Sequence, residues 1–214
     1  MESSFRATIP EGTRLIETMG WHPEKGIGHL DLHLARLETS AQRLGFPYNE
    51  ERIRAALPLK SQAALRVRLT LGAGGDVDVT TGPLPPNPQF WRVAVHPVRL
   101  WADDPWLGVK TTHRALYDQA RAALPDGVDE WLFLNERGEL CEGTITNLFV
   151  ITESGARVTP PLRSGLLPGV LRAGLRREGW HEAVLTLGDL AKAREIFVGN
   201  ALRGLIKVQD APFA

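Results

Sequence analysis

Residues 82–88 read Gly-Pro-Leu-Pro-Pro-Asn-Pro, four prolines in seven residues. Each proline fixes φ and lacks an amide N–H, so this stretch cannot lie inside a helix or a central strand. The chain must organise itself on either side of it. The expected division is a small α/β domain over residues 1–82, a linker over 83–89 and a larger α/β domain over 90–214. With 214 residues, 43% of them hydrophobic, the chain has enough apolar surface for a core in each part.

The clearest helical period runs from Gly28 to Gly45: Leu30, His33, Leu34, Leu37, Ala41 and Leu44 gather on one face, and Gly45 with Pro47 ends the pattern. A short helix is expected over Asn49–Leu57. Strands at Ala64–Leu71 and Val77–Thr81 flank the glycine-rich turn 72–76. Beyond the linker the pattern predicts a strand at Trp91–Arg99, a helix over Thr112–Leu124, and strands at Glu130–Leu134 and Thr144–Ile151. A helix then opens at Pro168-Gly169, followed by a short helix near Leu187–Ala193 and strands at Glu195–Val198 and Leu205–Val208. Helices interleaved with strands imply an α+β or α/β architecture.

Several functions are excluded or weakened. Lysine plus arginine (25) balance aspartate plus glutamate (25), which leaves no excess positive field for nucleic acid. No apolar run approaches the ~20 residues needed to cross a bilayer, and Met1–Thr8 has no apolar signal core, so a cytoplasmic location is expected. The single cysteine, Cys141, has no disulfide or zinc partner of its own kind and reads as a half-buried strand residue. His29 and His33 stand four apart, but the glutamate of a metalloprotease motif is missing between them. No lysine follows the glycine-rich run at 72–75, which reads as a turn rather than a phosphate loop. No metal site is expected.

The chain has only five lysines: Lys25, Lys60, Lys110, Lys192 and Lys207. Lys110 differs from the others because it closes the apolar run Trp106-Leu107-Gly108-Val109 just before a helix. Partial desolvation there disfavours the ammonium form and lowers the pKa toward that of a Schiff-base nucleophile. Taken alone, a lysine at a strand end reads equally as a structural or solvated residue.

Five segments in order resemble the class IV aminotransferases. They are His33-Leu34-Ala35-Arg36-Leu37 with Ser40-Ala41; Val109-Lys110-Thr111; Asn135 to Gly138 leading to Glu142-Gly143-Thr144 and Asn147-Leu148-Phe149; Gly165 through Arg172; and Gly199-Asn200-Ala201-Leu202. The resemblance spans roughly residues 14–209. It implies fold type IV, the D-amino acid aminotransferase-like fold, with two α/β domains, pyridoxal 5'-phosphate in the cleft between them, and a homodimer. By the same resemblance the larger domain is the cofactor-binding one, and Lys110 is the catalytic lysine joined to the cofactor aldehyde. Glu142 matches the carboxylate facing the pyridine nitrogen, and Arg36 the arginine on the phosphate, for which a guanidinium fork is well shaped. Pro168-Gly169-Val170-Leu171 opens a helix whose first amides suit an anion. Leu171 stands where relatives often carry threonine, so the backbone amides of Val170 and Leu171 would serve. Asn200 replaces another phosphate-contacting threonine, and its amide can donate.

The same comparison bears on the reaction. Lyase members resemble this chain in Asn200-Ala201-Leu202 and in an arginine four residues after the lysine, here Arg114; Ala115 stands where branched-chain enzymes tend to have tyrosine. The resemblance therefore implies aminodeoxychorismate lyase chemistry, a step of folate biosynthesis, with Arg114 and Thr144 toward the substrate. An amino-acid aminotransferase is the alternative, and a non-catalytic PLP-binding homologue is a third. The family usually has some twenty more residues before the first helix, of which only Arg14–Met19 has a counterpart here.

Overall fold

A computed structural model describes residues 9–57 and 60–209. The octapeptide Met1–Thr8, read above for a signal core, lies outside the described residues. Two compact units emerge: Met1–Pro86 with Val109–His113, and Asn87–Gly108 with Arg114–Ala214.

The first unit comprises β1 (Arg14–His22), β2 (Gly26–Ile27), α1 (Leu30–Leu44), α2 (Glu50–Ala55), β3 (Leu65–Gly72) and β4 (Val77–Pro83). Its strands form an antiparallel sheet in the order β2-β1-β3-β4. β1 was not foreseen as a strand. Leu15, Ile16 and Glu17 are all buried in succession, so the polar/apolar alternation that marks a half-exposed strand is missing. α1 ends as its sequence predicts: Gly45 takes φ +74°, and its N–H reaches the carbonyls of Ala41 and Gln42. The glycine-rich turn closes through Gly72 N–H to the Asp76 carbonyl at 2.9 Å, with Gly75 at φ +79°. Pro83 closes β4, an edge strand, where a missing N–H does not break the ladder.

The second unit contains β5 (Phe90–Trp91), β6 (Val93–Leu100), α3 (Ala115–Ala122), β7 (Glu130–Asn135), β8 (Leu140–Gly143), β9 (Asn147–Ile151), β10 (Arg157–Thr159), α4 (Val170–Arg177), β11 (His181–Glu182), α5 (Leu187–Ala191), β12 (Glu195–Asn200) and β13 (Gly204–Val208). The path through its mixed sheet is β5-β13-β12-β9-β8-β7-β6, with β10 on β9 and β11 on β10. Leu132, Leu148, Val150, Val198 and Ile206 centre one apolar cluster, and Phe133, Cys141 and Leu166 a second. Among the described residues no helix is long and apolar enough to cross a membrane.

Two boundaries differ from expectation for local reasons. The helix expected from Thr112 starts at Ala115, because the Thr112 N–H is given to the Arg14 carbonyl and the Thr111 hydroxyl accepts the His113 N–H. The strand expected from Thr144 starts at Asn147. Asn135–Gly138 is a tight turn that returns the chain as β8, and residues 144–146 then bend around a buried carboxylate.

Candidate active site

In the first unit, the Lys110 segment lies along β1. Ile16 N–H donates to the Lys110 carbonyl at 2.8 Å, Leu15 bridges Thr111, and Thr112 N–H donates to Arg14 at 2.9 Å. The half-buried lysine is thus fixed at its backbone by a central strand rather than by the end of the helix that follows. The next residue of β1, Glu17, is 2% exposed and reaches α1. Arg36 Nε donates to Glu17 Oε1 at 2.9 Å and Arg36 Nη2 to Oε2 at 2.5 Å, while His33 Nδ1 lies 2.6 Å from Oε2. Burial disfavours the Glu17 anion, but the Arg36 charge and the hydrogen bonds from His33 and Arg36 outweigh it and hold the carboxyl at about 2. Burial also pushes the His33 imidazole below its usual pKa, against the pull of Glu17. Lys110 and Arg36 are therefore tied to successive residues of one strand, Ile16 and Glu17. His29 sits before α1 at φ +55°, outside the helix that carries His33.

In the second unit, Glu142 stands on β8 and is 7% exposed. Its Oε1 accepts from the Tyr117 hydroxyl at 2.7 Å; its Oε2 accepts from the Leu167 N–H at 3.0 Å and from Asn147 Nδ2 at 3.4 Å. These three donors are neutral, so they orient the carboxylate without cancelling its charge. Burial and the adjacent Glu142 together push the Tyr117 phenol well above its ordinary pKa, which keeps it a proton donor.

The N-terminus of α4 is joined to this cluster. Asn147 Nδ2 also donates to the Leu167 carbonyl at 3.0 Å, and its Oδ1 packs against Gly169, where an added Cβ would overlap it. A Cβ on Gly199 would sit 2.5 Å from the Gly204 carbonyl and 2.8 Å from Leu171 Cδ2. Glycine at 199 lets Leu171, in the first turn of α4, lie against the 199–204 turn, and glycine at 169 lets Asn147 lie against the start of α4. Val170 is buried and Leu171 half-buried, and the first amides of a helix have no intrahelical acceptor. Asn200 Oδ1 accepts from the Leu202 and Arg203 N–H groups at 3.1 and 3.0 Å, and its Nδ2 donates to the Ile145 carbonyl at 3.1 Å.

Arg114 and Thr144 come together. Arg114 Nη2 donates to the Thr144 carbonyl at 2.9 Å and its Nε to Asp118 at 2.8 Å. The Thr144 hydroxyl is itself committed, donating to Glu130 Oε1 at 2.5 Å and accepting from Arg121 at 3.2 Å. Glu130 is fully buried and also accepts from the N–H groups of Thr144 and Ile145 and from the Thr146 hydroxyl. It shapes the whole 144–146 bend.

Four residues of these clusters were not foreseen. Glu17 left a trace in the sequence, as a carboxylate close to the apolar Leu15, Ile16 and Met19. Tyr117 lies within the helix expected over Thr112–Leu124, two residues past the Ala115 position where branched-chain enzymes tend to have tyrosine, and Asn147 was seen only as part of a motif. Glu130, at the first position of a strand, reads as solvated and gave no signal.

Residues 14–211 match the family model for "Amino-transferase class IV". A Schizosaccharomyces pombe protein named "Putative aminodeoxychorismate lyase" is 30% identical over 92% of this chain and 89% of its own length. A Mesorhizobium loti structure titled "Putative amino-acid aminotransferase" is 41% identical, with a TM-score of 0.85 over 92% of this chain and 99% of that one. The 4-amino-4-deoxychorismate lyase of Pseudomonas aeruginosa is 26% identical, with a TM-score of 0.77 over 94% of this chain and 84% of that one. The chain has fold type IV and belongs to the class IV aminotransferases, pyridoxal-phosphate-dependent lyases and aminotransferases.

Proposed function

We propose that the chain is a lyase that converts 4-amino-4-deoxychorismate to 4-aminobenzoate and pyruvate, a step of folate biosynthesis. The observation that carries this reading is the match along nine-tenths of both chains to the S. pombe relative bearing the lyase name. The resemblance of Arg114 and of Asn200-Ala201-Leu202 to lyase members supports it.

The residues present fit the cofactor: a buried carboxylate oriented by neutral donors suits a pyridinium, and the lack of a side chain at Gly199 lets the first turn of α4, through Leu171, lie beside the 199–204 turn, where backbone amides could cradle a phosphate. When bound, pyridoxal phosphate supplies an electron sink for the pair released as a substrate proton leaves. Lys110 would hold the cofactor through Nζ, and the same nitrogen would take the ring proton from the substrate. Glu142 keeps the pyridine nitrogen protonated, and Tyr117, Leu167 and Asn147 fix its direction. By the family resemblance, Arg36, the backbone amides of Val170 and Leu171, and Asn200 would serve the phosphate. Arg114, oriented by Asp118 and the Thr144 carbonyl, meets a substrate carboxylate; Thr144 shapes that edge of the site through its backbone, its hydroxyl being held by Glu130. The proton leaves, pyruvate departs and the ring aromatises, with no atom gained or lost and no acceptor consumed.

Purified protein incubated with aminodeoxychorismate should release pyruvate without any added 2-oxo acid. A second reading, amino-acid transamination, is favoured by the 41% identity to the M. loti structure; turnover that requires an amino acid and 2-oxo acid pair would select it. A Lys110→Ala variant as yellow as the wild type would remove Lys110 from either scheme. The resemblance also implies a homodimeric, cytoplasmic enzyme, and light scattering at the mass of one 23.6 kDa chain would refute the dimer.

A further inference from the structure

We propose that Glu17 is the positioning residue for the cofactor phosphate: its two oxygens hold the Arg36 guanidinium in one orientation, so that the arriving phosphate meets a donor already aimed. The inference rests on the assignment of Arg36 to the phosphate and adds what makes that arginine competent.

The geometry is a two-point grip. Nε and Nη2 of Arg36 bond the two different oxygens of Glu17, which fixes the guanidinium plane as well as its position. Glu17 is in turn braced by His33, 1% exposed, one helical turn before Arg36. With Nδ1–H directed at Glu17 and the imidazole disfavoured as a cation, His33 is neutral. Its Nε2 is buried without a hydrogen-bond partner. The cluster therefore holds one anion and one cation, at the cost of an unmatched nitrogen.

Fastening α1 to β1 does not require such an arrangement. Leu34, Leu37 and Ala41 on the helix and Leu15 and Met19 on the strand are buried already, and an apolar pair in place of the ion pair would avoid desolvating two charges. What the carboxylate adds is direction. A long side chain loses its rotamer freedom when the protein folds rather than when the ligand binds, and that is preorganisation.

Charge and orientation make opposite predictions. Glu17 offsets part of the Arg36 charge, so if charge alone mattered, removing the carboxylate would tighten phosphate binding. If orientation matters, removing it weakens binding. The readout is the ratio of dissociation constants for pyridoxal 5'-phosphate and for pyridoxal, which has the same ring and aldehyde but no phosphate, measured on apoprotein by absorbance.

Glu17→Gln should lower the preference for the phosphorylated form about ten- to hundredfold, the worth of one charge-assisted bond, and leave pyridoxal affinity unchanged. Arg36→Gln should do the same, and the double variant should be no worse than either single one. A preference kept or increased in Glu17→Gln while Arg36→Gln loses it overturns the inference but not the role of Arg36. If Arg36→Gln keeps the preference, both fall. Should Glu17→Gln fail to fold, Arg36→Lys serves: it keeps the charge without the two-point grip, so a loss matching Arg36→Gln supports orientation, and wild-type preference overturns it.

Discussion

Replacing Gly169 by alanine tests how the N-terminus of α4 is coupled to Glu142. The backbone at Gly169 has φ −64° and ψ 142°, which alanine adopts freely, so the effect is isolated to one methyl group. That methyl would overlap Asn147 Oδ1 and lie 3.0 Å from its Cγ. Asn147 is 5% exposed and can yield only by giving up its bonds to the Leu167 carbonyl and to Glu142. The Leu167 carbonyl keeps the Gly169 N–H at 2.8 Å, so the loss falls on the displaced amide. Two net hydrogen bonds at about 1 kcal/mol each, plus a buried amide lacking partners, cost about 3 kcal/mol. The stiffer unfolded chain returns about 0.5–1 kcal/mol. A net loss of about 2 kcal/mol should lower the melting temperature by about 4–8 °C in a chain of this size. In calorimetry the Asn147→Ala, Gly169→Ala double variant should be about 1–2 kcal/mol more stable than the sum of the single effects, because alanine at 147 removes the obstacle. Strict additivity, or a Gly169→Ala variant as stable as the wild type, would refute the coupling.

Other outcomes follow from the buried charges. Glu17 has a folded pKa of about 2 against an ordinary 4.5. The unfolded chain therefore takes up this proton first as pH falls: the stabilisation is complete above pH 4.5 and is lost between 4.5 and 2, on the order of 3 kcal/mol. The lowered His33 pKa has the same sign and begins to act below 6.5. Urea melts at pH 7, 4 and 3 should show a shallower acid loss in Glu17→Gln than in the wild type. Glu130→Gln places an NH2 among five hydrogen-bond donors and should cost about 2–4 kcal/mol in chemical denaturation, with a raised KM for substrate because the Thr144 carbonyl that orients Arg114 shifts. Burial drives the Cys141 thiol far above its usual range, so a thiol reagent should titrate no sulfur in the native protein and one per chain in guanidinium.

Much of the fold was legible because it depends on local rules. The apolar period of α1, its glycine terminator and the 72–76 turn need only nearby residues. The five motifs likewise picked out Arg36, Lys110, Glu142, the start of α4 and Asn200, the groups proposed to hold the cofactor. Their partners were not legible, because each lies on a distant element. Tyr117 reaches Glu142 across 25 residues of chain, and Asn147 reaches Leu167 across 20. β1 also escaped notice, because a strand buried residue after residue has no alternating pattern to read.

The sequence by itself determined the end of α1, the turns and the groups proposed to hold a cofactor, since backbone sterics, capping and side-chain chemistry act within a few residues. Only the tertiary structure decided which carboxylates are buried and what faces them. Glu17, Glu130 and Glu142 look alike in a sequence; their burial, donors and charges come from strands and helices brought together by folding, and those surroundings set what each carboxylate does.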